Sequence, residues 1–415
     1  MAYFKLNRFF GTAPAVSPRL LADQFGQTAE DLDLESGRLV AIKEDSEVFT
    51  LNNSARRSIY KYYSGGNEYW LEWDEDNVSV VPGPIPGDQN DRLYWTGEGG
   101  ASGYPRMATA SLVTAGTPYP NGDYRLGIPF PSAAPSVSVT GTANANSIPN
   151  DVSYVYTFVS IFGEESAPSA PSAVVSMSDG QTATIGMPAN AQPSGAGYGH
   201  LSSGSAFKRI YRSNTGSVNT TFQLVTHVTA GGASITNGNI PYTTTSATDS
   251  MLAANLAEVL PSDGWIPPPN DDSSLYPDGP LQGLIPLAQG IMAGFTGKRF
   301  CLSEAFLPHA WPADYRITTE EDIVAIASTA NGVAALTEGH PYFITGVDPS
   351  AMTSVRIDLA QACININSVV DMGDYVLYAG PDGLCAIQSG EGQVVTKGLI
   401  SVDQWNSTYN PTTIR

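Results

Sequence analysis

The chain has 415 residues, of which 42% are hydrophobic and only 14% are charged, and it contains 41 glycines and 30 prolines. This mixture favours strands and turns and argues against a helical protein. The formal net charge of −20 excludes nucleic-acid binding by phosphate neutralisation. An acidic wall would let DNA pass without binding it, and the alternative is that the charge only keeps a β protein soluble. No apolar run reaches the roughly 18 residues of a membrane span, so none is expected.

Residues 1–30 are predicted to form an extended N-terminal docking arm. The arm contains Pro14 and Pro18 together with four aromatic side chains, Tyr3, Phe4, Phe9 and Phe10. Because an exposed aromatic cluster favours association, these four residues are candidate interface residues. Leu20–Leu32 has apolar side chains near helical spacing and is predicted to be one short helix. The first residues lack the apolar core and cleavage site of a signal peptide.

Residues 31–130 are predicted to be the first part of a propeller-like platform. The strands expected from alternating apolar and polar residues include Glu47–Leu51, Ser58–Tyr63, Glu68–Trp73, Val78–Val81 and Arg92–Thr96. Arg56 and Arg57 precede the second of these strands. Two arginines cannot hold nucleic acid against the acidic total, so we expect them to meet acidic surface on a partner subunit.

Charge nearly disappears in residues 131–262, where Ser, Thr, Ala and Gly dominate. Strands such as Ser153–Ile161 and Lys208–Arg212, separated by turn-rich loops, predict a β-sandwich of the immunoglobulin or fibronectin III-like kind. Residues 263–283 are rich in proline and are predicted to be a stiff linker.

Residues 284–415 are predicted to be the second part of the platform. Asn331-Gly332 and Asp382-Gly383 each stand between short apolar runs. Such dipeptides indicate hairpins because both turn residues can take a positive φ. Successive hairpins build the blades of a β-propeller or the leaves of a sandwich. The predicted fold is therefore mainly β, a platform in two parts with a sandwich inserted between them.

The sequence predicts no catalytic, cofactor or metal site. The carboxylates of Glu320-Glu321-Asp322 follow one another, and neighbouring side chains of a strand point to opposite faces, so this run alone does not form a glycosidase pair. Cys301, Cys363 and Cys385 form no CxxC motif, and this sparse set indicates a protein assembled in a cytoplasm. Cys363 and Cys385 flank a predicted hairpin and are expected to be buried thiols, with a disulfide or a metal site as alternatives.

Three segments, in this order, resemble parts of bacteriophage tail proteins. The stretch from Pro18 to Leu39 resembles an N-terminal pattern common in such proteins. Tyr154–Ser160 with Gly163–Ser169 resembles a strand pair of fibronectin type III-like domains. The stretch from Lys298 to Trp405 is similar to the propeller part of tail nozzle or tail tubular proteins.

The resemblance implies a structural protein of a phage tail, assembled in the host cytoplasm and located in the virion. Nozzle proteins form rings, commonly sixfold, that continue the portal channel. The implied partners are copies of the chain itself, neighbouring tail or portal/adaptor proteins, and viral DNA as passing cargo. A full propeller needs about four blades or more, so the platform is either complete, incomplete or closed by neighbouring subunits.

Two other functions remain open from the sequence. A tail adhesin or carbohydrate-binding module would use exposed Tyr and Trp rings to stack on host glycans. A glycoside hydrolase would need two carboxylates that converge in one cleft.

Overall fold

A computed structural model describes residues 8–33, 40–100, 103–193, 197–202, 204–215 and 220–414. Strands make up 36% of the chain and helices 9%, so the prediction of a mainly β fold is confirmed. The α-helices of these ranges are single turns, α1 (Ala110–Val113) and α2 (Val402–Gln404). A π-helical turn over Trp405–Tyr409 continues α2. None of the described helices is long and apolar enough to cross a bilayer.

The N-terminal arm folds back on itself without a helix. The prediction of a helix over Leu20–Leu32 is wrong, because this stretch contains turns, an isolated bridge at Gly26 and the first residue of β1. Gly26 interrupts the apolar spacing, and its N–H donates to the carbonyl of Gly11 at 3.0 Å instead of to a helical neighbour. The arm ends in β1 (Leu32–Asp33), which pairs with β2 (Val40–Ala41).

A two-stranded hairpin follows, formed by β3 (Ser58–Ser64) and β4 (Asn67–Trp73). The strand predicted over Glu47–Leu51 is wrong, since that segment has no regular structure. Side chains rather than a backbone ladder hold the segment that leads into β3. The backbone N–H of Asn52, for example, donates to the carboxylate of Glu72 at 3.0 Å.

The first four-stranded sheet, meander 1, contains β5 (Ser79–Pro82), β6 (Leu93–Thr96), β7 (Arg106–Ala108) and β8 (Tyr124–Arg125). Its strands pair antiparallel in chain order, so β5 lies at an edge. Pro82 ends this edge strand, where a missing N–H removes little of the ladder.

A two-layer domain comes next along the chain. Its strands are β9 (Ser136–Thr140), β10 (Asn150–Val152), β11 (Tyr154–Val159), β12 (Val175–Met177), β13 (Thr182–Gly186), β14 (Phe207–Thr215), β15 (Thr220–Leu224), β16 (Val228–Ala230), β17 (Ala233–Ile235), β18 (Ile240–Pro241) and β19 (Ser246–Asp249). One large sheet has the order β17-β16-β19-β13-β9, and the other has β11-β14-β15 with β18 on β14. β10 and β12 pair with each other in a separate two-stranded sheet. Tyr156, Phe158 and Ile210 of one sheet share a buried core with Ile185 and Ala247 of the other.

Three more four-stranded meanders complete the chain. Meander 2 contains β20 (Gln282–Pro286), β21 (Met292–Thr296), β22 (Arg299–Leu302) and β23 (Ile317–Thr318); meander 3 contains β24 (Ile323–Thr329), β25 (Gly332–Thr337), β26 (Tyr342–Thr345) and β27 (Thr353–Arg356); meander 4 contains β28 (Val370–Asp371), β29 (Val376–Gly380), β30 (Gly383–Gln388) and β31 (Glu391–Val394). Each pairs antiparallel in chain order.

The hairpins predicted from Asn-Gly and Asp-Gly are present, but their turns differ from the expectation. Neither Asn331 nor Asp382 has a positive φ, and each following glycine begins the next strand. A Cβ on Gly332 would collide with the carbonyl oxygen of Ile344. Glycine is needed there because β26 approaches closely, and not because the turn is left-handed.

The four meanders pack face to face in chain order. β20 contacts β5, and β24 contacts both β20 and β28, so the first strands of the four sheets lie side by side. Ala335 of meander 3 shares a buried cluster with Phe300 of meander 2. Leu336 shares another with Tyr378 of meander 4. The side chains of consecutive residues in β25 thus point to opposite faces of the sheet, as in any pleated strand.

The Pro-rich stretch 263–283 is packed against the meanders and is not a free spacer. Arg125 of β8 makes two hydrogen bonds to the carboxylate of Asp271, at 2.6 and 2.9 Å. The hydroxyl of Tyr276 donates to the carbonyl of Pro267 at 3.0 Å. These contacts fix the path of the chain from the two-layer domain into meander 2.

Candidate functional site

The joint between meander 1 and the two-layer domain is built around a buried arginine. Arg92, just before β6, is 6% exposed and donates to Glu164 Oε1 and to Asp88 Oδ2, both at 2.6 Å. Its guanidinium lies 5.3 Å from the ring centre of Phe162. Phe162 and Glu164 follow β11, so this one side chain ties together two separate parts of the fold. A charge can be buried in this way because it is paired and hydrogen-bonded.

Two buried histidines belong to the same joint. His309, in the loop between β22 and β23, has Nδ1 3.9 Å from Glu164 Oε1 and an edge-to-face contact with Trp265 at 5.8 Å. His200 makes an edge-to-face contact with Tyr124 at 5.3 Å. Burial lowers the pKa of both histidines, although the Glu164 charge acts in the opposite direction. Both rings are therefore neutral at pH 7, and the joint is sensitive to acid.

Carboxylates inside the two-layer domain are committed to internal hydrogen bonds. Asp249 accepts from the Tyr154 hydroxyl at 2.9 Å and from Arg212 at 2.8 Å. Glu165 accepts from the Tyr211 hydroxyl at 2.7 Å. Burial raises the pKa of both tyrosines, so their hydroxyls stay protonated and donate. These groups hold strands together and are not arranged as an acid and a base around an open site.

A polar cleft of ≈ 340 Å³ opens at one end of the two-layer domain. Its walls include Asn150, Asp151, Asp179, Gln181 and Asn214. None of the residues that line it is aromatic. The cleft therefore offers hydrogen-bonding groups but no ring on which a sugar could stack.

A second groove, of ≈ 500 Å³, lies on the outer face of meander 4. Its lining residues lie in strands β29, β30 and β31 or directly beside them: Tyr375, Leu377, Ala386, Gln388, Glu391, Gly392, Gln393 and Val395. Leu377 pairs with Ala386 across β29 and β30, and Ala386 pairs with Gln393 of β31. The lining of the groove therefore mixes apolar side chains, such as Leu377, with polar ones, such as Gln393.

A third groove, of ≈ 240 Å³, follows the line where the first strands of the four meanders meet. Ser79 of β5, Ile285 of β20, Ala327 of β24 and Asp371 of β28 all contribute to it. The four sheets therefore share one common edge, along which their first strands converge.

The aromatic residues predicted as an interface fall into three groups. Phe9 is 8% exposed and packs within the arm itself. Phe10 is 48% exposed, and its ring centre lies 5.6 Å from that of Phe25. Tyr3 and Phe4 lie outside the described residues. The structure thus leaves one of the two described aromatic residues accessible to a partner.

Both predicted interface arginines have acidic partners within the chain. Arg56 pairs with Glu72 at 3.1 Å and with Asp74 at 2.9 Å, and Arg57 pairs with Asp76 at 2.8 Å. The side chain of Arg56 is 13% exposed and that of Arg57 is 58% exposed. Contact of either arginine with a partner subunit stays a prediction.

The remaining chemical candidates do not come together in the described part of the chain. Glu320 pairs with Arg356 at 3.0 Å on the surface. Cys301, Cys363 and Cys385 are free, buried thiols. Burial raises the pKa of Cys301 and of Cys363 to about 12, and that of Cys385 to about 11. No group of three or more His, Cys, Asp or Glu side chains in these ranges could hold a metal ion.

Sequence reasoning missed the joint formed by Arg92, Glu164 and His309. One signal was available, because Glu164-Glu165 places two carboxylates in a stretch that otherwise has almost no charge. Buried carboxylates need partners, but the sequence does not say that one partner lies 72 residues earlier.

Comparisons with known proteins give only weak similarity. No protein family matches the chain, and no curated protein is similar to it. Among solved structures, YCF48 from Cyanidioschyzon merolae is 14% identical with a TM-score of 0.25, over 78% of this chain and 73% of that chain. Apo AztD from Citrobacter koseri is 13% identical with a TM-score of 0.22, over 79% of this chain and 74% of that chain. Similarity at this level carries no argument about fold, activity or partners.

Proposed function

We propose that the chain is a structural protein of a phage tail, at the nozzle or an equivalent tail ring. In this proposal the four meanders are blades of an open β-propeller, and the two-layer domain is an inserted immunoglobulin or fibronectin III-like sandwich. Copies of the chain assemble through protein–protein contacts into a ring, taken to be sixfold. The ring continues the DNA-ejection channel beside neighbouring tail or portal/adaptor proteins.

The observation that carries the proposal is a stack of sheets with exposed apolar side chains at its β3–β4 end. Ile59 is 55% exposed and Tyr63 is 62% exposed on the side of this hairpin that faces away from meander 1. Val48, in the segment before the hairpin, is 78% exposed. Exposed apolar patches of this kind are typical of protein–protein contact surfaces.

The distribution of charge supports the same function. Arg92 and Arg212, both nearly inaccessible to solvent, are used in internal ion pairs, so they add no positive surface. The formal net charge of the whole chain is −20. An acidic wall repels DNA and would let it slide through a ring without binding.

Electron microscopy of the purified chain tests the assembly part of this proposal. We expect closed rings, and we expect Ile59→Asp to reduce their number because it places a charge in an apolar contact. Val347→Asp is the matched control, since Val347 is 68% exposed but lies in the loop after β26. Monomers at every concentration, or equal loss of rings in both variants, would contradict the proposal.

A further inference from the structure

The polar cleft at the end of the two-layer domain has the dimensions of a small-molecule site. Its volume of ≈ 340 Å³ lies within the range of about 300–1,000 Å³ that small-molecule pockets usually have. Its walls come from the β10–β12 sheet with the turn after β12, from the end of β14, and from residues 250–253 after β19. The cleft therefore lies between elements that are distant in the sequence.

The lining of the cleft carries an excess of negative charge. Asp151 and Asp179 both line it, and neither carboxylate has a hydrogen bond or ion pair with the described residues. Arg212 is the one cationic residue among the described lining residues. Its guanidinium donates to the buried carboxylate of Asp249 at 2.8 Å, so this pair adds no net charge. Two carboxylates without a counter-charge favour a cationic ligand and disfavour an anion.

A buried hydroxyl in the same lining lacks a partner. Ser178 is 7% exposed and lines the cleft, but its hydroxyl makes no hydrogen bond with the described residues. Its backbone N–H, in contrast, donates to Gln181 Oε1 at 2.9 Å. Because buried polar side chains usually have a hydrogen-bond partner, the Ser178 hydroxyl indicates that its partner is a group inside the cleft. An ammonium group can donate to this oxygen.

The cleft also offers apolar contacts between its polar groups. Val152 and Met177 are 7% and 8% exposed, and both line the cleft. Asp151 pairs with Ser176 across the β10–β12 sheet, and Asp179 is three residues beyond Ser176. The Cα atoms of the two aspartates are therefore at most about 12 Å apart. Two carboxylates at this separation, with apolar side chains in the same cleft, match an aliphatic chain that has an ammonium group at each end.

We propose that this cleft binds aliphatic polyamines, which are unbranched alkyl chains with two or more ammonium groups. One ammonium group pairs with Asp151 and another with Asp179, and one of them donates to the Ser178 hydroxyl. The methylene groups between them lie against Val152 and Met177 and leave water. A neutral diol would leave both carboxylates without a counter-charge. The inference concerns the two-layer domain and does not depend on the proposed tail function.

Isothermal titration calorimetry of the full-length protein tests the class of ligand. The titrations use an amine-free phosphate buffer at pH 7 with about 0.15 M salt, because salt screens weak contacts with an acidic surface. We expect 1,4-diaminobutane to bind, n-butylamine to bind about tenfold more weakly because it lacks the second ammonium group, and 1,4-butanediol not to bind. Absence of diamine binding, or diamine binding no tighter than that of the monoamine or the diol, would overturn the proposal.

Three conservative variants locate the site. Asp151→Asn and Asp179→Asn should each weaken diamine binding about tenfold, and Ser178→Ala should weaken it about threefold. Asp263→Asn is the matched control, because Asp263 is exposed and outside the cleft, and this change also removes one negative charge. The diamine should raise the melting temperature of the unchanged protein but not that of Asp151→Asn/Asp179→Asn. An equal loss of affinity in the control and the cleft variants would show binding to the acidic surface in general and would overturn the assignment.

Discussion

Replacing Arg92 by methionine removes the cation from the joint between meander 1 and the two-layer domain. Its two partners, Asp88 and Glu164, would then remain as buried carboxylates without a positive neighbour, at side-chain exposures of 11% and 10%. Breaking a buried ion pair by removing one partner costs about 3–5 kcal/mol. Because domains are stable by only about 5–15 kcal/mol, this loss should be large enough to lower the unfolding midpoint clearly.

Urea unfolding followed by tryptophan fluorescence measures the effect, and Trp265 reports on the joint because its ring centre is 5.8 Å from that of His309. The matched control is Arg57→Met, because Arg57 and its partner Asp76 are both exposed, at 58% and 39%. This variant should lower the free energy of unfolding by less than about 1 kcal/mol. In the double variant Arg92→Met/Glu164→Gln, part of the loss should be recovered, because one uncompensated charge is removed. An Arg92→Met protein as stable as Arg57→Met would show that the buried ion pairs of Arg92 do not stabilise the joint.

Three further predictions follow from burial. Since burial lowers the pKa of His200 and His309, the unfolded state binds more protons than the folded state below about pH 6.5. The melting temperature should therefore fall as the pH drops from 7.5 to 5, and His309→Gln should reduce that fall. The same pH dependence in the variant and the unchanged protein would contradict the burial of His309 in the joint. Leu336 has 0% exposure and lies between meanders 3 and 4. Leu336→Ala should lower the free energy of unfolding, measured in urea, by about 2–5 kcal/mol. A decrease below about 1 kcal/mol would contradict the packing of these sheets. The three thiols, with pKa raised to about 11 or about 12, should resist dithiobis-nitrobenzoate at pH 8 until the protein is unfolded; rapid labelling of the folded protein would show that they are accessible.

Local sequence signals were sufficient to locate one hairpin in meander 3 and one in meander 4. The short apolar run before Asn331-Gly332 is present as β24 (Ile323–Thr329), because an apolar run next to a turn dipeptide indicates a strand without long-range information. The same reasoning failed for the turn itself. Gly332 is required by the approach of β26, which depends on how the sheet is assembled and cannot be read from neighbouring residues.

The structures of the arm and of the joint depend on long-range contacts that the sequence does not predict. Helical spacing over Leu20–Leu32 did not produce a helix, since the N–H of Gly26 bonds to Gly11 instead; tertiary pairing overrides a weak propensity. The ion pair of Arg92 with Glu164 spans 72 residues and depends on where the two-layer domain lies against meander 1. No spacing rule predicts such a contact, although the isolated carboxylates indicated that some partner was needed.

The most direct test of the proposed tail function is electron microscopy of purified virions carrying a gold label on this chain. The label can be placed on the two-layer domain at the exposed residue Val174, which is 66% exposed, after substitution by cysteine. We expect gold at the tail, in a ring at one end of the particle. Gold that is absent from the tail, or found only on the capsid, would contradict it.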